Sequence, residues 1–127
     1  MNLFTLSESK RTPEVLFNLD NAELVFNGNS IPEDVNLFYA PLISWIEVNK
    51  DHIIQDSRQL MIKVNLVYFN SATLKFLVSL LKFLINIKGV DLVKISWLYD
   101  HDDDDMLETA KDISNILSIP INYILRD

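Results

Sequence analysis

The chain has 127 residues, 49% of them hydrophobic, with 2 glycines, 4 prolines, no cysteine and a formal net charge of -7 at pH 7. That length suits one domain with a real apolar core, and the missing cysteines exclude a disulfide framework, a thiolate metal site and a cysteine nucleophile. The 11 basic residues are scattered among 18 acidic ones, which argues against nucleic acid as a partner, because a phosphate-tracking surface needs clustered Lys and Arg.

The first residues, from Met1 to Thr5, lack the basic start, apolar run and small-residue cleavage site of a signal peptide. The longest apolar segment, Phe76 to Ile87, is interrupted by Lys82 and falls short of the roughly 20 residues a spanning helix requires. The expectation is a cytoplasmic protein with no membrane partner. Residues 1 to 11 are polar and irregular and read as a loose arm.

Val15 to Asp20 and Glu23 to Asn27 read as two strands joined by the turn residues Asp20-Asn21, with Gly28-Asn29 ending the second. Ser30-Ile31-Pro32-Glu33-Asp34 has the form of a helix start: a hydroxyl, a proline near the first turn, then acids at the positive end of the dipole. Leu37, Phe38, Leu42, Trp45 and Ile46 then fall on one helical face. Pro41 predicts a kink or restart, and the helix should end near Asn49 or Lys50.

From Arg58 to Phe69 the chain alternates. Leu60, Ile62, Val64, Leu66 and Tyr68 make one apolar face, and the other face is mixed. Asn70-Ser71-Ala72-Thr73 follows, and then a helix with core positions Leu74, Leu77, Val78, Leu81, Leu84 and Ile85. Phe76, Leu80, Phe83 and Ile87 form an extra apolar row, read either as covered by a neighbouring element or as a partner surface.

Leu92 to Tyr99 is the next strand. The acidic run Asp100 to Asp105 leads into a helix bearing Met106, Leu107, Ala110, Ile113 and Leu117; Pro120 stops it, and Ile121 to Leu125 is a last strand. The acidic run lacks the Gly and Glu of a calcium loop and reads as a solvated, helix-capping segment. The order ββαβαβαβ implies an α/β domain over 1-127, with a mostly parallel mixed sheet, helices against it and an N-terminal hairpin. No catalytic constellation, phosphate cradle or metal motif is visible, and His52 and His101 read as surface residues. No enzyme activity, cofactor or metal is expected.

The junction at Asn70 is the one place where chemistry is poised. A helix start exposes unpaired amides, and Asn70 or Ser71 can simply cap them. Equally, a phosphate on a hydroxyl here would face the positive end of the helix dipole, tolerated by the fold yet obvious to a partner.

Two further stretches bear on that choice. Pro32-Glu33 with Phe38-Tyr39-Ala40-Pro41-Leu42-Ile43-Ser44-Trp45 resembles the "PE…FY.PL..W" segment of the SiaC family of bacterial regulatory phosphoproteins. Trp97-Leu98-Tyr99-Asp100 through Asp103-Asp104-Asp105-Met106-Leu107-Glu108 resembles that family's "W.YD..DEDMLE" segment, and Thr12-Pro13 also fits.

The resemblance spans nearly the whole chain. It implies a fold similar to STAS domains (the anti-sigma-factor antagonists) and a non-enzymatic partner-switching role. A dedicated kinase would phosphorylate a hydroxyl at the start of the second helix, and a PP2C-type phosphatase would remove the phosphate. The unphosphorylated form would bind an effector such as a diguanylate cyclase. The phosphorylated position falls on Ser71, where the family's named member has Thr; Thr73 is the second candidate and Asn70 the capping neighbour. The alternative reading is a constitutive STAS-like scaffold or small-ligand module in which Asn70 and Ser71 only cap.

Overall fold

The structure, a computed structural model, describes residues 2–126. Its frame is one sheet of six strands lying side by side in chain order: β1 (Leu3–Leu6), β2 (Glu14–Asn18), β3 (Glu23–Ser30), β4 (Leu60–Phe69), β5 (Val93–Tyr99) and β6 (Ile121–Leu125). β1, β2 and β3 pair antiparallel, and β3 through β6 run parallel. The helices are α1 (Val35–Val48), α2 (Lys50–Gln55), α3 (Ser71–Lys88) and α4 (Asp104–Leu117).

Because the parallel strands advance in one direction only, crossovers of one hand place every helix on the same side of the sheet. The burial pattern agrees. Leu24, Phe26, Ile62, Val64, Ile95 and Trp97 are buried under the helices, while Met61, Lys63 and Lys94 on the other face are exposed. On that open face Asn65 donates to Asn27 at 3.0 Å, Asn27 to Glu14 at 3.1 Å, and Arg126 to Asn65 at 2.8 Å. A polar ladder thus crosses the half of the sheet that no helix covers.

The expected hairpin, the long strand before Asn70 and the four later elements are all present. Four local expectations are corrected. Residues 3–6, expected within a loose arm, form the edge strand β1, because Phe4 packs against Trp45 with ring centroids 5.8 Å apart. Ser30 caps no helix: β3 runs on through a register shift at Gly28/Asn29 to end at Ser30, and Asp34 caps α1 by accepting from the Leu37 amide at 3.1 Å.

Leu37 is not a core residue but 73% exposed, and Tyr39 takes the buried place on that helix. Pro41 neither kinks nor restarts the helix into two: α1 is continuous from Val35 to Val48. Pro41 and Leu37 both lie on the solvent side, where water can take the carbonyl that the missing Pro41 N–H leaves free. The chain breaks instead at Asn49, where Asn49 Nδ2 donates to the Trp45 carbonyl at 2.9 Å and the short α2 begins. His52 lies on α2, exposed as expected.

Candidate functional site

The carboxyl ends of β3, β4 and β5 point the same way, and the starts of α1, α3 and α4 collect there. This is the end of an open α/β sheet at which sites usually form. The backbone explains how α3 begins. The Asn70 amide donates to the Ser30 carbonyl at 3.2 Å, continuing the β3–β4 pairing by one residue, and Asn70 then turns the chain with an extended φ and ψ. Its Oδ1 accepts from the Thr73 amide at 2.9 Å, so Asn70 is the N-cap. Ser71 and Ala72 are the first two helical residues, and both are exposed.

The two hydroxyls of this segment lie in opposite environments. Ser71 faces solvent in the first turn, whose amides have no intrahelical acceptors. Thr73 is fully buried, and its Oγ1 donates to the Ser30 carbonyl at 2.9 Å. Having given its one proton there, Thr73 Oγ1 accepts from Ser30 Oγ at 2.9 Å, and Ser30 Oγ in turn accepts from the Tyr39 hydroxyl at 2.7 Å. A single proton arrangement therefore satisfies three buried hydroxyls on β3, α1 and α3. Burial pushes the Tyr39 phenol up to about 12, against the smaller opposing effect of its bond to Ser30.

The apolar row of α3 continues from this network. Phe76 stacks on Tyr39, ring centroids 4.1 Å apart and planes 10° from parallel. Leu80 is buried, while Phe76, Phe83 and Ile87 are partly buried, and α1 and α2 both pack against α3 and cover most of the row. What remains open is a groove of about 300 Å3 between α1 and α3, lined by Asn36, Ile43, Glu47, Phe76, Ser79 and Phe83.

The acidic loop lies at the same end of the sheet. Asp103 caps α4 by accepting from the Met106 amide at 3.0 Å, and Asp100 pairs with Arg126 at 3.1 Å. Val67, Tyr68 and Phe69 of β4 share a shallow depression with Asp103, Asp105 and Met106. The Ser71 end of the molecule is thus bordered by exposed Val67 and Tyr68 and by carboxylates.

A family model for "SiaC family regulatory phosphoprotein" matches residues 6–126. The chain belongs to the SiaC family. SiaC of Pseudomonas aeruginosa has a similar structure, with a TM-score of 0.83 and 22% identity, the match covering 99% of this chain and 100% of that one. A chain in the crystal structure of the diguanylate cyclase SiaD in complex with its activator SiaC, from the same organism, matches with a TM-score of 0.83 and 22% identity over 97% of this chain and 99% of that one. At such identity the likeness speaks to the fold. An uncharacterised protein of P. aeruginosa strain UCBPP-PA14 is 24% identical over 113 residues, which is 88% of this chain and 87% of that protein.

Much of what marks the SiaC family in this sequence is core. Trp97 is fully buried and its indole N–H donates to the Met106 thioether at 3.2 Å, which ties the two ends of the acidic segment together. Trp45 packs on Phe17 at 5.1 Å, and Tyr39 joins the hydroxyl network. Nothing in the sequence paired Thr73 with Ser30, or Ser30 with Tyr39. The only signal was a serine in a helix-start pattern, and that pattern pointed elsewhere.

Proposed function

We propose that this SiaC-family chain is a non-enzymatic partner switch whose phosphoacceptor is the Ser71 hydroxyl. A dedicated kinase adds the phosphate and a PP2C-type phosphatase removes it. The unphosphorylated form binds an effector of the diguanylate cyclase class, the kind of enzyme that the SiaC of P. aeruginosa activates. The observation that carries the choice of residue is the contrast between exposed Ser71 and Thr73, whose hydroxyl is buried and bonded on both sides. A kinase can reach the first without disturbing the fold; the second would require the α3 start to open.

The chemistry asked of the site is modest. A phosphate brings about two negative charges to the positive end of α3, beside first-turn amides that lack intrahelical acceptors. Lys75 lies one turn further along the same helix face, exposed and able to act as a counter-cation. The domain therefore tolerates the modification. A partner that docks over Ser71, Val67 and Tyr68 instead meets a buried dianion, which costs several kcal/mol unless the partner supplies its own cation.

Intact-mass measurement of the chain co-expressed with its cognate kinase tests this. A gain of one phosphate that Ser71→Ala abolishes and Thr73→Ser leaves intact is the expected result. Full phosphorylation of Ser71→Ala overturns the residue assignment, and an unmodified parent chain overturns the switch. If Ser71→Glu binds the effector as tightly as the parent chain, the constitutive scaffold is the better description.

A further inference from the structure

The outer strand β6 is an edge without the usual defences. Natural edges are blunted by short length, charged side chains, proline, a bulge or a covering element. Ile121-Asn122-Tyr123-Ile124-Leu125 contains no charge and no proline, and its five residues pair with β5 in unbroken register. Tyr123, Ile124 and Leu125 are 36%, 43% and 51% exposed. The opposite edge differs: β1 is shorter, and its Phe4 and Leu6 pack against the core.

Backbone bonding fixes which groups of β6 point outward. The Arg126 amide donates to the Tyr99 carbonyl at 2.8 Å, so Arg126 faces β5. Alternate residues of a parallel strand bond to the same neighbour. Asn122 and Ile124 therefore also face β5, and the N–H and C=O groups of Ile121, Tyr123 and Leu125 project away from the sheet. Arg126 further anchors the strand end through Asp100 and Asn65, so this row of free groups is held rigidly.

We infer that β6 pairs antiparallel with β6 of a second copy of this chain, about a two-fold axis through Tyr123. That register sets Tyr123 opposite Tyr123 and Ile121 opposite Leu125, and each outward residue exchanges both of its bonds with its counterpart. It joins apolar side chains on the helix side of the sheet and sets Asn122 beside Ile124 on the open side. A second copy is the fitting occupant because the pattern is self-complementary and closes on itself. Two chains of net charge -7 repel one another, and β6 is a stretch where they meet with no charge opposed to its like.

The absence of cysteine makes a direct test possible. Directly opposed, hydrogen-bonded residues of antiparallel strands have Cα atoms about 5.5 Å apart, within the roughly 4.4–6.8 Å a disulfide spans. Tyr123→Cys should cross-link to a covalent dimer under mild oxidation, at least tenfold faster than Asn122→Cys, whose counterpart is Ile124. Light scattering of the unmodified full chain at about 100 μM should give a dimer mass, and Tyr123→Lys should return it to monomer with its circular dichroism unchanged. A monomeric parent chain, or equal cross-linking of the two cysteine variants, overturns the inference. Phosphorylation of Ser71 plays no part in this result, so it stands or falls apart from the switch.

Discussion

Thr73 Oγ1 and the Ser30 carbonyl lie 2.9 Å apart across the seam between α3 and β3, and through Ser30 Oγ that bond extends to Tyr39 on α1. One buried threonine thus fixes where the first turn of α3 stands relative to the sheet, and hence where Ser71 is presented. Its role is positional.

Thr73→Val keeps the shape and removes the hydroxyl. Ser30 then loses both a donor to its carbonyl and an acceptor for its hydroxyl, so the loss of stability should be about 1–3 kcal/mol, read as a lower urea midpoint with an unchanged slope. Thr73→Ser should recover most of it.

Asn70 and Ser71 should separate cleanly. Asn70→Ala removes the acceptor of the Thr73 amide and should cost about 1 kcal/mol. Ser71→Ala touches no such bond and should stay within about 0.5 kcal/mol of the parent chain. Equal effects in the same denaturation series would mean that Ser71 shares the capping role.

Tyr39 should ionise late. Its pKa in the fold, about 12, exceeds the ordinary 10.0 chiefly because of burial. The raised value means that the stability contributed by the neutral phenol is intact below about pH 10 and is lost as pH rises from there through 12. Ultraviolet titration should show a late phenolate step that Tyr39→Phe deletes.

Arg58 staples the β2–β3 turn to the chain entering β4. It donates to the carbonyls of Asp20 and Leu19 at 2.7 and 2.9 Å, and to Asp56. Bonding to Arg58 pulls the Asp56 carboxyl down from 3.8 to about 2. A depressed carboxylate pKa stabilises the fold above its unfolded value and ceases to do so as pH falls through the folded one. Asp56→Asn should therefore lower the melting temperature at pH 7, with the difference shrinking between pH 4 and pH 2.

Some of this was legible in the residues themselves. Alternation from Leu60 to Tyr68 specified a strand with one buried face; that holds as far as Leu66, and Tyr68, past the register shift opposite Gly28/Asn29, is exposed instead. The spacing of Leu77, Leu81 and Leu84 specified the helix after it, and Asn70 at their junction was already a cap. Those are local facts: side-chain periodicity and capping chemistry act over a few residues, so the sequence displays them directly.

Tertiary structure decided where Ser30, Thr73 and Ser71 each stand. Read locally, Ser30 was a helix start, and the family resemblance left Thr73 as the second phosphoacceptor candidate. Only the β3–β4 register, with Ser30 beside Phe69, brings Ser30 under the first turn of α3. A partner 43 residues away has no local signature, because hydrogen bonding depends on where the sheet delivers two groups in space. The sequence determined that a hydroxyl would stand at a helix start; sheet register determined which hydroxyl is locked inside and which is left facing solvent.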